Sequence, residues 1–148
     1  MAITFYGTLG QYGAFSNFAR YAFSVDGVRW QTSEHYFQAH KFAKTDPAHF
    51  EAIHRALTPK IAATLGRDRA HSLRADWERV KDDVMREALR HKFAAHAELR
   101  ALLLATGDES IIESAPHDAY WGWGADQQGK NMLGVLLMEL RAALRQAS

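Results

Sequence analysis

The sequence contains no cysteine and only three prolines among its 148 residues. The absence of cysteine excludes disulfide bonds, thiolate nucleophiles, zinc–thiolate sites and iron–sulfur clusters. Long apolar runs are also absent, since no stretch approaches the ~20 residues that a membrane span requires. The first residues, Met1 to Tyr6, lack the basic and apolar regions of a secretory signal. We therefore expect a cytoplasmic protein without a membrane segment.

Neither sign of charge is in excess, because 18 Lys and Arg residues balance 17 Asp and Glu residues. A protein that binds duplex nucleic acid usually carries a basic face that neutralises several phosphates. The near-neutral balance therefore argues against a nucleic-acid partner, and no motif implies an obligate protein partner. A chain of this length is close to the most common size of one domain, so we expect a single domain over residues 1–148.

Strand signals lie in the first part of the chain. Ile3–Tyr6 is predicted to be a short strand, and two further strands, 21–25 and 28–31, flank the turn dipeptide Asp26-Gly27. The loop between them, Gly7–Phe18, contains aromatic residues and glycines without a clear period.

The rest of the chain is predicted to be mainly helical. Thr32 or Ser33, Asp46 and Thr58 are residues of the kind that cap a helix, and the third helix is expected to stop at Gly66. The longest helical pattern begins at Asp76 and carries Lys81 and Lys92 on its apolar stripe, a shorter helix ends at Gly107, and Asn131 is expected to cap the last helix. Helices around a small antiparallel sheet give a mostly helical α+β domain.

The first candidate for chemistry is a helical face that carries Glu34, Gln38 and Lys41 at positions i, i+4 and i+7. An exposed carboxylate in the first helical turn, followed by aromatic residues and a lysine, suits a polar pocket with apolar walls. The alternative is that Glu34 only complements the helix dipole.

Two basic groups follow. Arg67, Arg69 and Arg74 lie after a predicted helix end, and arginine forks match phosphate oxygens, although a solvated turn with local ion pairs gives the same pattern. Lys81 follows Trp77 by one helical turn, so it either snorkels to solvent or projects into a site beside an indole wall.

The last candidate is the stretch from His117 to Asn131, where Tyr120, Trp121 and Trp123 alternate with glycines. Aromatic rings on such a backbone suit stacking on a heterocyclic base, and Asp118 supplies a second carboxylate. The alternative is a loop that plugs the core. Dinucleotide, Walker and serine-nucleophile motifs are absent, and no histidine pair has metal-ligand spacing, so we expect neither a metal nor another cofactor.

Taken together, these segments resemble the NADAR family, in particular its YbiA-like N-glycosidases linked to riboflavin biosynthesis. The resemblance covers nearly the whole chain and lies in Phe15-Ser-Asn-Phe18, Asp26-Gly with Trp30, Thr32-Ser-Glu-His-Tyr-Phe-Gln38, Lys41-Phe42, Leu65-Gly-Arg-Asp-Arg69, Trp77 with Lys81 and Met85, Lys92-Phe93, Asp118-Ala-Tyr-Trp-Gly122, and Asn131 with Leu133-Gly134. It implies a compact α+β enzyme that cleaves the C1′–N bond of early riboflavin intermediates such as a ribosylamino-uracil 5′-phosphate. Hydrolysis to ribose 5-phosphate would remove an unstable, reactive metabolite.

Hydrolysis of an N-riboside passes through an oxocarbenium-like state, so the site needs a carboxylate near C1′, a stack for the base and cations for the phosphate. We assign Glu34 to stabilising the sugar cation and activating water, and Asp118 to the ribose hydroxyls or the water; these two roles are interchangeable. The substrate-binding candidates are Trp77, Trp121 and Trp30 as aromatic walls, Lys81 for the base or phosphate, Arg67 and Arg69 for the phosphate, and Asn17 and Lys41 as polar lining.

Two rival functions remain open from the sequence. One is an ADP-ribosyl glycohydrolase that acts on modified guanine in nucleic acid, which is another activity within the family that the chain resembles. The other is a non-catalytic module that binds NAD or ADP-ribose. The small phosphorylated nucleoside-like substrate is the reading that the four candidate segments favour, because they supply carboxylates, aromatic walls and cations.

Overall fold

The structure is a computed structural model that describes residues 2–147. Its α+β class, with helices as the main component, is confirmed. The strands are β1 (Ala2–Phe5), β2 (Phe23–Val25), β3 (Val28–Trp30) and β4 (Ser110–Glu113), and the helices are α1 (Ser33–His40), α2 (Pro47–His54), α3 (Pro59–Gly66), α4 (Trp77–Ala95), α5 (Ala97–Ala105) and α6 (Met132–Ala147). None of the described helices is long and apolar enough to cross a membrane.

The backbone forms two compact units, which we call the terminal unit (Met1–Ala19 with His96–Ser148) and the central unit (Arg20–Ala95). Each unit has its own pair of strands and its own helices. A single domain over the whole chain stays a prediction, and the two units are described separately below.

The central unit begins with the predicted hairpin. Strands β2 and β3 are antiparallel, with Phe23 opposite Trp30. Asp26 and Gly27 connect them with φ angles of 51° and 82°, the left-handed conformation that a tight two-residue hairpin turn requires. The strands pack on the helical layer through a cluster of buried apolar residues from β2, β3, the four helices α1 to α4 and the segments that follow α1 and α2: Phe23, Trp30, Tyr36, Ala39, Phe42, Ile53, Ala56, Ala62 and Ala88.

Three of the predicted helix caps are confirmed in this unit. The side chains of Thr32, Asp46 and Thr58 accept hydrogen bonds from the backbone N–H three residues further on, and Pro47 and Pro59 open α2 and α3 where the N–H is not needed. These caps fix where α1, α2 and α3 begin.

The long helix α4 buries a cation. Lys92 is fully buried and lies near the rings of Tyr21 and Phe93, at 5.9 and 5.8 Å from the ring centres. Burial lowers the pKa of Lys92 from its ordinary value of 10.5 to about 7, because the charged form loses its hydration. Lys92 therefore belongs to the interior of the molecule.

The terminal unit contains a parallel pair of strands that the sequence did not predict. Strand β1 pairs with β4 in parallel, with Ile3 beside Ile111, so the expectation of only an antiparallel sheet was incomplete. Helix α6 packs so closely on β4 that a Cβ atom at Gly134 would lie 2.0 Å from the carbonyl oxygen of Ile111. Glycine is needed there for space.

Asn131 does not cap α6 with its side chain, which corrects the sequence expectation. Its Oδ1 accepts from the backbone N–H of Glu113 at 2.9 Å, and its Nδ2 donates to the carbonyl of Ile111 at 2.9 Å. Both contacts are to β4, so the Asn131 amide completes the free edge of that strand instead of the helix end.

Candidate active site

Helix α1 presents the first candidate catalytic residue. Glu34 lies in its first turn, after the Thr32 cap. The expectation of an exposed carboxylate was wrong, since only 8% of Glu34 is accessible. Its Oε2 accepts a hydrogen bond of 2.7 Å from Nε2 of Gln38, one turn further along the same helix. A buried carboxylate needs such a donor, and its expected catalytic role stays a prediction.

Lys41 follows directly after α1 and is half-buried. Its Nζ donates to the carbonyl of Gly66 at 3.4 Å and lies 5.8 Å from the centre of the Phe37 ring. Burial lowers the pKa of Lys41, and the nearby charges of Arg67 and Arg69 add to this effect. Glu34 opposes it. The charges of Glu34, Arg67 and Arg69 therefore act on the amine of Lys41.

The loop that follows α3 borders a cleft of about 580 Å³. Arg67 ends α3 in a helical conformation, and both Arg67 and Arg69 are exposed. The cleft lies entirely within the central unit and is lined by Lys41, Gly66, Arg67, Asp68, Arg69, His71, Leu73, Trp77 and Glu78. Three cations therefore meet at one concave surface, as an anionic ligand requires.

Two histidines support this loop. His49 is buried and its Nε2 donates to the carbonyl of Leu65 at 2.7 Å. The ring of His71 stacks on His49 with 3.7 Å between centres and 7° between planes, while its Nδ1 bonds to Oδ2 of Asp46 at 2.6 Å. That hydrogen bond is the main reason why the pKa of Asp46 lies below its ordinary value. The loop is thus fixed on α2.

Arg74 does not join the phosphate candidates. Its Nε and Nη2 donate to the two carboxylate oxygens of Asp76 at 2.6 and 3.0 Å, a bidentate pair that occupies the guanidinium face. Its backbone N–H instead donates to the carbonyl of Lys41 at 2.8 Å. The segment before α4 is thereby tied to the end of α1.

Helix α4 supplies the aromatic side of the cleft. Trp77 is its first residue, and its ring lies 5.0 Å from that of Phe37. Lys81 is one turn further along and donates from Nζ to Oε1 of Glu78 at 2.8 Å. The lysine head group is therefore directed to Glu78, which itself lines the cleft.

Trp30 lies elsewhere. It is 2% accessible and sits in the core of the central unit, where its ring contacts Tyr36, His40, Phe50 and His54. These contacts make Trp30 part of the core of the central unit, and its expected role as a wall for the substrate stays a prediction.

The other three candidates belong to the terminal unit. Oδ1 of Asp118 accepts from the backbone N–H groups of Tyr120 and Trp121 at 3.0 and 2.8 Å, so this carboxylate holds its own turn together. Trp121 is half-buried with its ring against that of Tyr120, and Asn17 is buried. Their expected roles toward a substrate stay predictions.

Sequence reasoning missed three residues that line the cleft, His71, Leu73 and Glu78, and it did not give Gln38 a role. The signal for Gln38 was its helical spacing from Glu34. His71 gave no signal beyond its nearness to the arginines, because its partners Asp46 and His49 are more than twenty residues away. Within residues 2–147, no group of three or more His, Asp or Glu side chains is arranged to hold a metal ion.

Comparisons with known proteins show the family of this chain. The model of the NADAR domain family matches residues 4–145. N-glycosidase YbiA of Escherichia coli (strain K12) is 56% identical over 142 residues, which cover 96% of this chain and 88% of that protein. The NMR structure of the E. coli protein YbiA is similar with a TM-score of 0.91 at 55% identity, covering 99% of this chain and 86% of that one. The chloroplastic riboflavin biosynthesis protein PYRR of Zea mays is 39% identical over 96% of this chain, which spans 25% of that protein.

Proposed function

The chain belongs to the NADAR domain family and is an N-glycosidase, and we propose that it hydrolyses the C1′–N bond of a phosphorylated ribosylamino-pyrimidine from riboflavin biosynthesis. The products are ribose 5-phosphate and the free aminopyrimidine. Such a reaction removes a reactive intermediate before it damages other molecules. The riboflavin-related name of the maize relative supports the substrate class, although this chain corresponds to a quarter of that protein.

The observation that carries the proposal is the cleft of the central unit. It combines the cations Arg67, Arg69 and Lys41 with Trp77 on one concave surface. A phosphate ester needs charge-assisted donors, and a heterocyclic base needs an apolar surface. The cleft offers both, and its 580 Å³ lie within the range for a small-molecule ligand.

The chemistry requires one water and no other reactant. The C1′–N bond breaks and its electron pair leaves with the nitrogen, while the water oxygen forms a new bond to C1′. One proton of the water passes to the departing nitrogen and the other stays on the new hydroxyl group. Positive charge develops on the sugar in the transition state.

Glu34 is the residue proposed to respond to that charge. A carboxylate gains little from a neutral C1′ in the ground state, but it stabilises the oxocarbenium as it forms. The same carboxylate can accept the water proton and return it to the leaving nitrogen. The lowered pKa of Lys41 lets this amine donate a proton more readily, which suits a group that faces the leaving base.

The test is a product assay by mass spectrometry. The purified protein is incubated with ribosylamino-uracil 5′-phosphate and with the same compound lacking its phosphate. We expect ribose 5-phosphate from the first compound and at least about tenfold slower turnover of the second at low concentration, since the phosphate contacts contribute binding energy. Equal turnover of both compounds would show that the cleft does not bind the phosphate.

The same assay separates two rival functions. Release of ADP-ribose from an oligonucleotide carrying ADP-ribosylated guanine, without turnover of the riboside phosphate, would overturn the proposed substrate class while leaving the N-glycosidase activity intact. Recovery of every bound nucleotide intact after long incubation would indicate a binding module. Salt dependence of the oligonucleotide reaction would report on contacts to the phosphate backbone.

A further inference from the structure

The side-chain amide of Gln38 is bound on one side only. Gln38 is 5% accessible, and its Nε2 donates to Oε2 of Glu34 at 2.7 Å. Its Oε1 is also buried, yet no donor among the described residues reaches it. Buried polar atoms are nearly always paired, so an unpaired one calls for a physical reason.

The unpaired oxygen points at Gly66. A side chain at Gly66 would place its Cβ 2.0 Å from Oε1 and 2.7 Å from Cδ of Gln38. The hydrogen that glycine carries in that direction is therefore directed at Oε1. Only a residue without a side chain lets the end of α3 approach α1 so closely.

The orientation of the amide is fixed by Glu34. Rotating the Gln38 amide by half a turn would bring Oε1 against Oε2 of Glu34, and two acceptors would then face each other. The observed orientation serves the ionised carboxylate and leaves Oε1 unpaired. A residue selected only for packing or stability would not keep such an acceptor in the interior.

We propose that Gln38 is a positioning residue that holds the Glu34 carboxylate in its reactive orientation. Gly66, at the end of α3, leaves the space that the Gln38 amide needs. The inference rests on the proposed function, because it takes Glu34 as the catalytic carboxylate. Gly66 also links the Glu34 carboxylate to the loop that follows α3. It immediately precedes Arg67, and the carbonyl of Gly66 accepts a hydrogen bond from Lys41.

The decisive variant is Gln38→Met, which keeps the length and volume of the side chain but removes the donor and the unpaired acceptor. We expect kcat for ribosylamino-uracil 5′-phosphate to fall about ten- to a hundredfold, because a misplaced catalytic group is costly, while KM changes less than about twofold. The melting temperature should change little, because removal of the unpaired Oε1 offsets the loss of the hydrogen bond to Glu34. The acidic limb of the pH–rate profile should move to higher pH, because a hydrogen bond to the ionised carboxylate is lost.

The matched control is Gln31→Met in the same unit. Its Nε2 donates to the carbonyl of Ala56 at 3.1 Å, away from the cleft. This variant should lower the melting temperature and leave kcat unchanged. If Gln38→Met lowers the melting temperature as much as Gln31→Met does, or leaves kcat at the wild-type value, Gln38 is a structural residue and the inference is overturned.

A second background separates this inference from the proposed function. In the Glu34→Gln protein, Gln38→Met should change the residual kcat less than about twofold, since its effect passes through Glu34. Full activity of Glu34→Gln itself would overturn the role of Glu34 in the proposed function. If the wild type releases no ribose 5-phosphate, the proposed substrate fails, and the two melting temperatures still decide whether Gln38 stabilises the fold.

Gly66 gives an independent test. Gly66→Ala should lower the melting temperature, because its Cβ collides with the Gln38 amide. Adding Gln38→Ala should restore much of the melting temperature without restoring kcat. Recovery of both would mean that the Gln38 amide is not needed for turnover, and recovery of neither would mean that the two side chains are not the colliding pair.

Discussion

The two carboxylates proposed for catalysis, Glu34 in the central unit and Asp118 in the terminal unit, are held in different ways. A side-chain amide donates to Glu34, whereas two backbone N–H groups donate to Asp118. A side-chain donor can be exchanged without changing the path of the chain, but backbone donors belong to the loop itself. The donor to Glu34 from Gln38 can therefore be varied by itself, which makes the proposed catalytic role of Glu34 testable, whereas Asp118 has a folding task whatever else it does.

The largest effect is expected from Glu34→Gln. It keeps the shape of the side chain and a carbonyl that accepts from Gln38, but it removes the charge and the base. We predict a fall in kcat of ~10²-fold or more with KM little changed. The free energy of unfolding should change by about 1 kcal/mol or less, as measured by urea denaturation, because the hydrogen bond survives.

Glu51→Gln is the matched control for that variant, because Glu51 is a helical carboxylate paired with Arg55 and His54. Neither Glu51 nor Glu34 is among the residues that line the cleft, but only Glu34 is close enough to act on the charge of Lys41. It should retain full activity. Full turnover by Glu34→Gln, or loss of activity only through unfolding, would remove the distinction drawn between the two carboxylates.

The second effect concerns the phosphate. Arg67→Ala or Arg69→Ala should raise KM for the phosphorylated substrate by about tenfold or more, since a charge-assisted hydrogen bond contributes ~1.5–3 kcal/mol. The dephosphorylated compound should be almost unaffected. Steady-state kinetics on both compounds measure the difference.

Arg55→Ala is a close control for Arg67→Ala. Both arginines end an eight-residue helix in a helical conformation and both are exposed, but Arg55 pairs with Glu51 and does not line the cleft. Arg55→Ala should leave both KM values unchanged. Equal losses on the two substrates for Arg67→Ala would indicate a structural arginine.

A smaller effect on kcat is expected at Asp118, where two substitutions distinguish a role in stability from a role in activity. Asp118→Ala loses two hydrogen bonds and should lower the free energy of unfolding by about 1–3 kcal/mol. Asp118→Asn keeps an oxygen for the same N–H groups and should cost less than about 1 kcal/mol. If Asp118 also orients the ribose, Asp118→Asn should still lower kcat about tenfold, and an unchanged kcat would restrict Asp118 to its loop.

Removal of metal ions is expected to have no effect on the rate of the reaction. Excess chelator should leave the rate unchanged, because Glu34 and Asp118 are proposed to act as carboxylates and not as metal ligands. If chelator abolishes activity and one added divalent ion restores it, the two carboxylates act through a metal ion and the proposed mechanism is wrong.

The sequence was sufficient where the cause of a structure is local. The starts of α1, α2 and α3 follow from Thr32, Asp46 and Thr58, since a cap is a contact over three residues. Strand β4 escaped prediction because it is four residues long and its partner β1 lies more than a hundred residues away. Asn131 is a residue type that often caps helices, but its side-chain amide forms hydrogen bonds with β4, about twenty residues earlier in the chain.

The candidate site shows the same division. The spacing of Glu34, Gln38 and Lys41 and the cluster of Arg67 and Arg69 were visible in the sequence, because they are local patterns. The burial of Glu34 and the contact between Gln38 and Gly66 depend on the packing of α3 against α1. The burial of Trp30 likewise depends on its contacts with α2, and the residues next to Trp30 in the sequence do not predict these contacts.

The buried Lys92 of α4 changes how many protons the protein carries. The formal net charge of +1 counts this lysine as a cation, but the folded chain holds it mostly neutral above its pKa of about 7. Between about pH 7 and 10.5 the unfolded chain binds more protons at this position, so folding releases up to one proton and stability gains up to about 1.4 kcal/mol per pH unit as the pH rises. The folded protein is thus close to uncharged at mildly alkaline pH, where little repulsion keeps molecules apart.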